Sequence, residues 1–267
     1  MTRTRTFLTG PARASSVVLA LTALLLPTAA CSHGAPTATG STGATNTTGA
    51  SAGLGLSKVL FLGDSIAAGE ALPLAAALKA GGVGFRSIAA DGGGNVVGPF
   101  SDKHWKTLPG QIASAGPTVV IYQITTYDWG GRQEQEDAYG RLLTTVTRSG
   151  AELVFVTMPP IRPDDFYKPH MADLNRTPDA ARAVAARSSG RAAVLDAGAV
   201  WGRTYRRAEG GRAYRSTDGI HTCPQGAARF TGWLLTELAR LFPGFTPPDP
   251  RSWANTGWSA DARFHGC

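Results

Sequence analysis

Ser65 is the first residue whose type and position suggest chemistry. It follows a short apolar run, residues 58–63, and precedes a stretch rich in Ala and Leu, so a strand-to-helix turn is predicted at this point. A hydroxyl there lies at the carboxyl end of the strand, and the Ser65 amide near a helix start can donate to a developing oxyanion. The same position suits a serine that only caps the helix. Position alone therefore leaves a nucleophile and a cap as equal alternatives.

A base that could activate this hydroxyl is predicted near the other end of the chain. A serine hydroxyl is a poor nucleophile until a base removes its proton. Asp218 precedes His221 by three residues, just ahead of a predicted helix that starts near Pro224. This spacing lets the carboxylate hold one imidazole nitrogen while the other nitrogen faces a nucleophile. The other histidines lack such an upstream aspartate in a comparable loop, which favours a functional His221 over a structural one.

Two kinds of element alternate between these motifs. Five runs with aliphatic or β-branched centres are predicted strands: 58–63, 85–90, 118–124, 152–157 and 192–196. Stretches with the apolar spacing of helices lie between and after them: 70–80, 108–115, 133–148, 172–188 and 224–241. This alternation predicts an α/β fold whose parallel sheet is covered on both faces. Ligands bind such sheets outside the carboxyl ends of the strands, where Ser65 is expected.

The two motifs together resemble those of a known hydrolase family. Gly63-Asp64-Ser65 near the domain start and Asp218-x-x-His221 near its end are similar to the SGNH (GDSL) hydrolases, over essentially residues 58–242. More loosely, the chain resembles the actinobacterial extracellular branch of that family. The resemblance implies a flavodoxin-like α/β/α sandwich with a five-stranded parallel sheet. It also implies that Ser65, Asp218 and His221 are the catalytic residues.

The resemblance further implies an oxyanion hole formed by backbone amides. One amide is that of Ser65, and the second belongs to a glycine after the second strand. The run Asp91-Gly92-Gly93-Gly94-Asn95 supplies that glycine, and the family spacing favours Gly94, with Gly93 next. Glycines also permit the close backbone approach that an amide donor needs. A flexible loop without a catalytic role is the alternative.

The chain departs from the family at the third oxyanion donor. The family's Gly-x-Asn-Asp motif falls on residues 125–128, which places Tyr127 where the family has Asn. Losing one oxyanion donor can lower turnover by roughly 10²–10³-fold. Three interpretations stay open: a substitute donor, catalysis with two backbone amides alone, or a weakened site used for binding. The candidate substitute donors are Tyr127, Thr125, Thr126 and Asn95.

Two further segments are expected at the edge of the site. The loop 159–169 follows the fourth strand and either shapes an acyl or sugar pocket, or is an ordinary surface loop. Its candidate pocket residues are Asp164, Asp165, Phe166 and Tyr167. The Pro-rich aromatic tail, residues 243–267, either walls the pocket or covers a hydrophobic patch. In an exported protein the pair Cys223 and Cys267 favours a disulfide that ties this tail to the neighbourhood of His221, with two free thiols as the alternative.

The first 56 residues predict export. Residues 1–30 combine three arginines, an apolar run too short to span a membrane comfortably, and a small-residue end, as in a signal peptide. Thr28-Ala29-Ala30-Cys31 resembles a bacterial lipobox with Thr in place of the usual Leu, which favours lipidation of Cys31 over plain secretion. Residues 31–56 read as a flexible Ser/Thr/Gly/Ala-rich tether. We therefore expect a hydrolase domain over 57–242 on the outer face of the cell membrane, or secreted.

The charge of the chain and its recognisable motifs limit the classes of function that we expect. The formal charge is +7, but without the arginines at positions 3, 5 and 13 the 26 basic residues become 23 against 19 acidic ones. Those residues are scattered, which disfavours nucleic-acid binding. No metal cluster, phosphate loop or cofactor motif is recognised in the sequence. We expect a monomeric, envelope-associated esterase acting on O-acyl, acetyl-like esters of glycans or lipids. The alternative is a non-catalytic or acyl-transferring protein that binds acylated envelope polysaccharide.

Overall fold

The computed structural model describes residues 55–267. The predicted signal peptide, Cys31 and all but the last two residues of the predicted tether lie outside this part of the chain, so the predictions made for them are not addressed by the structure. No helix within the described residues is both long enough and apolar enough to cross a membrane.

Five parallel strands form the central sheet. They are β1 (Lys58–Leu62), β2 (Gly84–Ser87), β3 (Val119–Gln123), β4 (Glu152–Val156) and β5 (Ala192–Leu195). Their order is β2-β1-β3-β4-β5, and every neighbouring pair is parallel. This is the flavodoxin-like strand order. The predicted fold class is confirmed.

Seven helices accompany the sheet in the described residues. They are α1 (Ser65–Ala80), α2 (Ser101–Trp105), α3 (Leu108–Ala115), α4 (Arg132–Arg148), α5 (Met171–Ala186), α6 (Gly198–Trp201) and α7 (Pro224–Leu241). A short hairpin adds β6 (Ala208–Glu209) and β7 (Arg212–Ala213). The sequence does not predict α2, α6 or the hairpin, because two to five residues are too few to show an apolar period.

Alternate residues of each central strand belong to two separate apolar cores. Val59 and Phe61 of β1 pack in one core with side chains of α1 and α7, including Leu74 and Phe230. The intervening β1 residues pack in the other core with side chains of α3, α4 and α5. Because side chains alternate between the faces of a strand, these two cores are the two sides of the sheet. The structure is thus an α/β/α sandwich.

The expectation that all five strands are buried on both faces is wrong for the edges. β3 is buried at every position, whereas β2 is exposed at three of its four residues. An edge strand has a neighbour on one side only, so part of it faces solvent. Gly84 and Arg86 are accordingly exposed.

The tail after α7 packs against α1. Phe245 and Trp253 are buried in the same core as the inner face of α1. Two short 3₁₀ turns, Pro250–Ser252 and Trp258–Ala260, lie beside α1. This part of the tail therefore covers a hydrophobic patch, which is one of the two roles expected for residues 243–267.

Glu70, in α1, places a carboxyl group inside the protein and makes stability depend on pH. The side chain is fully buried, and burial raises its pKa to about 8, while the Gln123 amide and the Arg215 guanidinium offset only part of the effect. An ordinary glutamate titrates near 4.5. The folded protein therefore holds a proton that the unfolded chain loses between these two pH values. This contribution to the free energy of unfolding is complete below pH 4.5 and is lost as the pH rises to 8, by on the order of 5 kcal/mol.

We expect Glu70→Gln to remove this pH dependence, because the neutral amide needs no proton to stay buried. Urea unfolding at pH 5 and pH 8 measures it: the variant gains stability relative to the parent at pH 8 and not at pH 5. Glu209→Gln, a change at an exposed glutamate, is the matched control, and its free energy of unfolding should change with pH as that of the parent does. If the free energy of unfolding changes equally with pH in the parent and in Glu70→Gln, the side chain of Glu70 ionises as freely in the folded protein as in the unfolded chain.

Candidate active site

Ser65 is the first residue of α1, directly after the carboxyl end of β1. The helix begins five residues earlier than predicted because Asp64 caps it: the Asp64 carboxylate accepts the Ile66 amide at 3.0 Å. The cap is thus Asp64 and not Ser65, which leaves the serine hydroxyl free for another contact. The second Asp64 oxygen accepts the amide and the hydroxyl of Thr126, at 2.8 and 2.9 Å. These bonds join the start of α1 to the loop after β3.

His221 joins Ser65 to Asp218. Its Nε2 lies 2.8 Å from Ser65 Oγ, and its Nδ1 lies 2.8 Å from Asp218 Oδ2. A carboxylate only accepts hydrogen bonds, so the proton of the neutral ring is on Nδ1. Nε2 then carries a lone pair and accepts the Ser65 hydroxyl. The arrangement is that of a nucleophile, a general base and a group that orients the base.

Asp218 is ionised throughout the neutral range. Burial acts to raise its pKa, but hydrogen bonds from the Ile220 amide (2.7 Å), the His221 amide (3.0 Å) and the His221 ring lower the pKa to about 2. The two amides bind Oδ1, which leaves Oδ2 for the imidazole. The backbone of the turn at 218–221 therefore fixes the position of the carboxylate independently of its hydrogen bond to the ring.

Arg215 holds this turn in place, and sequence reasoning missed it. The side chain is 1% exposed and donates to three carbonyls, those of Pro160 (2.8 Å), Ile220 (2.6 Å) and His221 (3.4 Å). It therefore connects the loop after β4 with the backbone of the proposed base. A single arginine three residues ahead of Asp218 looks like any surface arginine in the sequence, and only the fold shows that it is enclosed.

The glycine run after β2 approaches the start of α1 closely. Gly94 is buried with φ +78°, and a Cβ there would lie 2.0 Å from the Gly63 carbonyl oxygen. Any side chain at this position would collide with the backbone just before the nucleophile. A Cβ at Gly93 would meet nothing within 4 Å. The close approach thus singles out Gly94, in agreement with the choice made from spacing, although the oxyanion role itself stays a prediction.

Asn95 does not serve as a substitute oxyanion donor. Its side chain is fully buried, and its amide nitrogen donates to the carbonyl oxygens of Val97 (2.7 Å), Pro99 and, more weakly, Tyr127 (3.5 Å). Both amide hydrogens are engaged by the loop itself. Asn95 therefore fixes the shape of the loop after β2, because buried carbonyls need such donors.

The two threonines after β3 are also occupied. The amide and the hydroxyl of Thr126 bind Asp64, and Thr125 Oγ1 accepts the Tyr127 amide at 3.2 Å. Both residues are buried. Tyr127 differs, because its half-buried side chain lines the pocket that contains Ser65 and His221. Of Asn95, Thr125, Thr126 and Tyr127, the residue that lines this pocket is Tyr127.

Asp128 ties the two loops together below the site. Its buried carboxylate accepts the hydroxyls of Tyr122 (2.7 Å) and Tyr139 (3.1 Å) and the amides of Val96 (3.3 Å) and Thr125 (3.2 Å). Burial raises its pKa to about 6, against the effect of these donors. The loops after β2 and β3, which carry Gly94 and Tyr127, are thus held by one carboxylate.

The pocket over Ser65 has a volume of about 700 Å³ and two unlike walls. Tyr127 and Tyr167 form one side. The other side comes from the tail and the glycine loop, where Arg263 pairs with Asp91 at 2.6 Å. His265, also from the tail, lies 3.8 Å from Asp218. The end of the tail therefore forms part of the pocket wall, which is the other role expected for residues 243–267.

A disulfide holds that end in place. Cys223, the residue before α7, is bonded to Cys267, with Cα atoms 5.6 Å apart. Beside it, the Thr217 amide donates to the Gly266 carbonyl at 2.8 Å. The structure thus contains the pairing favoured by the sequence over two free thiols. It anchors the tail within two residues of His221.

The loop 159–169 contributes unequally to the pocket. Asp164 caps its own turn by accepting the amides of Phe166 and Tyr167, both at 3.1 Å. Asp165 is exposed and pairs with Lys168. Tyr167 is buried, lines the pocket, and its hydroxyl lies 3.4 Å from that of Tyr127. Of these loop residues Tyr167 therefore lines the pocket, Phe166 contacts the pocket residue Tyr127, and the two acidic residues do neither.

Three side chains at the site could share a metal ion, although the sequence suggests no metal cluster. Ligand atoms of Asp218, His221 and His265 lie within 4.8 Å of one another. His265 is 44 residues from His221, so no short ligand motif exists. His221 is already hydrogen-bonded to Asp218 through Nδ1 and to Ser65 through Nε2, an arrangement that suits proton transfer without a metal.

Solved structures with the same fold are hydrolases. A candidate SGNH hydrolase from Slackia heliotrinireducens is 22% identical with a TM-score of 0.51, covering 68% of this chain and 98% of its own. A candidate GDSL-like lipase from Parabacteroides merdae is 16% identical, TM-score 0.51, covering 70% and 97%. A catalytic mutant of an acetylxylan esterase from Geobacillus stearothermophilus is 14% identical, TM-score 0.50, covering 73% and 97%. No protein-family model and no curated protein matches the sequence. The likeness shows that the fold is that of the SGNH hydrolases, as the two motifs predict.

Proposed function

We propose that this protein is a serine ester hydrolase of the SGNH (GDSL) type. The observation that carries the proposal is the unbroken chain of contacts from Ser65 through His221 to Asp218, with both ring nitrogens 2.8 Å from their partners. Such a chain converts a weakly nucleophilic hydroxyl into a group that can attack an ester carbonyl.

The reaction proceeds in two halves. His221 Nε2 takes the proton of Ser65 as Oγ attacks the carbonyl carbon, and Asp218 stabilises the imidazolium that forms. Collapse of the tetrahedral intermediate breaks the ester C–O bond, and the imidazolium returns the proton to the departing alcohol. Water then attacks the acyl-serine, with His221 again as base, and releases the carboxylic acid and free Ser65.

The oxyanion of each intermediate rests on donors at the same sheet edge. The amide of Ser65 belongs to the first turn of α1, where unpaired N–H groups favour negative charge. Gly94 supplies the second amide in this proposal, supported by its close packing on Gly63. The hydroxyl of Tyr127 is the side-chain candidate for the place that Asn takes in the family.

We further propose short O-acyl esters, acetyl being the simplest, on glycans or lipids of the cell envelope. The aliphatic residues among those lining the pocket are Ile220 and Ala262, which is little apolar surface for a long acyl chain. A structure of the same fold belongs to an acetylxylan esterase. The envelope location rests on the predicted export signal and on lipidation of Cys31, which would also make the membrane a partner.

A fluorophosphonate probe tests the proposal directly, because it reacts with an activated serine. We expect stoichiometric labelling at Ser65 and hydrolysis of p-nitrophenyl acetate, with both abolished in Ser65→Ala. The exposed Ser114→Ala is the control and should behave as the parent. If the parent neither reacts with the probe nor exceeds Ser65→Ala in turnover, the esterase proposal fails. The binding function suggested by Tyr127 then takes its place. Labelling together with transfer of acetyl to an added sugar, in preference to water, would identify an acyltransferase.

A further inference from the structure

Three aromatic rings cluster beside the pocket, and one of them, that of Tyr127, lines it. Tyr127 is the central one, and its ring contacts those of Phe100 and Phe166 at centroid distances of 6.0 and 6.3 Å. Phe100 is 57% exposed and Phe166 is 52% exposed. They are two of the three exposed large apolar side chains in the described part of the chain, the third being Leu241. We refer to Phe100, Tyr127 and Phe166 as the aromatic platform.

The platform is not explained by folding. Phe100 has a left-handed backbone, φ 68° and ψ −10°, which a side chain with a Cβ adopts at a cost. Its ring then lies largely in water, where it gains little from burial. A conformation that is unfavourable both in backbone and in side chain is expected where a ligand contacts the residue.

The platform is rigidly supported. Trp129 packs between Tyr127 and Phe166, donates its indole N–H to the Thr126 carbonyl at 2.8 Å, and stacks on His170 with centroids 3.4 Å apart. The capped turn at Asp164 fixes the backbone of Phe166. The rings of Tyr127 and Phe166 are therefore held in place before a ligand binds, which favours affinity.

The opposite wall of the pocket is polar, which restricts what the platform can hold. Asp91, Asp261, Arg263 and His265 face the site from that side. A fatty acyl chain would need an apolar channel, whereas a sugar ring presents an apolar face for aromatic rings and hydroxyl groups for charged side chains. The pocket thus combines aromatic and charged side chains, as pockets for polar ligands do.

We infer that the aromatic platform is a sugar-stacking subsite that binds a pyranose ring of the alcohol half of the ester. The inference rests on the proposed function for the direction of the substrate, since the acyl group occupies the space at Ser65. It makes an acylated oligosaccharide, rather than an acylated lipid, the substrate class.

Binding to the inactive protein tests the subsite independently of turnover. Full-length Ser65→Ala is titrated calorimetrically with acetylated xylotetraose and acetylated cellotetraose. We expect binding of at least one of them, and at least a tenfold rise in Kd when Phe100→Ala and Phe166→Ala are added. Adding Leu241→Ala, which removes the exposed apolar side chain at the end of α7, is the control and should leave Kd within twofold. No binding of either oligosaccharide, or an equal Kd with the platform removed, overturns the inference.

Turnover of ring-free esters distinguishes the two halves of the substrate. Ethyl acetate and ethyl octanoate, followed by acid release, carry no ring that could stack. With Ser65 intact, we expect Phe100→Ala combined with Phe166→Ala to raise KM for the acetylated oligosaccharide at least tenfold more than KM for ethyl acetate. A selective loss of octanoate hydrolysis would show that the rings hold acyl chains and would overturn the inference. A parent inactive on every ester would remove the proposed function, while the calorimetric comparison would still decide whether the rings bind sugar.

Discussion

Asp218→Asn is expected to lower kcat/KM for a short ester by about 10⁴-fold, the size of effect seen when the aspartate of a Ser-His-Asp triad becomes an amide. The imidazole Nδ1 now donates to the Asp218 carboxylate 2.8 Å away. With an amide NH₂ group in that place, Nδ1 becomes the acceptor and the ring proton moves to Nε2. Nε2 then has no lone pair for the Ser65 hydroxyl, and the base is lost although every atom keeps its position.

Hydrolysis of p-nitrophenyl acetate between pH 5 and pH 9 measures this effect. The pKa of Asp218 is about 2, so the parent carboxylate is ionised over the whole range and the loss should be the same at each pH. Asp261→Asn, a change at another carboxylate of the pocket wall, is the matched control and should stay within about threefold. A decrease of less than tenfold in Asp218→Asn would mean that His221 does not depend on this carboxylate.

Cys267→Ser is expected to lower the free energy of unfolding by about 4 kcal/mol. The disulfide links residues 44 apart in sequence, and a loop of this size removes roughly that much chain entropy from the unfolded state. Its loss should also loosen the pocket wall, because His265 and Arg263 belong to the same tail. Cys267 is exposed, so the substitution itself disturbs little packing.

Guanidinium unfolding of the parent, with and without reductant, provides the comparison. The reduced parent and Cys267→Ser should agree, and reductant should have no effect on the variant. The folded variant should keep activity on a small ester, because the disulfide includes none of Ser65, His221 and Asp218. A loss below about 1 kcal/mol would show that the packing of Phe245 and Trp253 already fastens the tail.

The central part of the fold could be predicted from sequence because its signals are local. β1, β3 and β4 are apolar runs that are buried almost throughout, and their alternation with helices fixes a parallel sheet. The proximity of Ser65 and His221 was predictable for a related reason. Ser65 follows a strand and His221 precedes a helix, so both were expected at one edge of the sheet, and the structure places them 2.8 Å apart.

The parts that were not predictable depend on contacts between distant segments. From its sequence position Asn95 was a reasonable candidate for an oxyanion donor, but in the fold its side-chain amide donates to carbonyls of its own loop. Arg215 holds the turn of the base only because the loop after β4 passes beside it. The two roles of the tail likewise required the position of α1. Residue type carries no information about any of these partners.

The separation of Ser65 and His221 by 156 residues has a consequence during biosynthesis. A chain still emerging from the ribosome contains Ser65 early and His221 late, since residues 218–221 come after the last strand of the central sheet. The covalent bond of Cys223 must wait longer still, for residue 267. In the growing chain, the contact between Ser65 and His221 therefore forms only after all five strands of the central sheet have been synthesised.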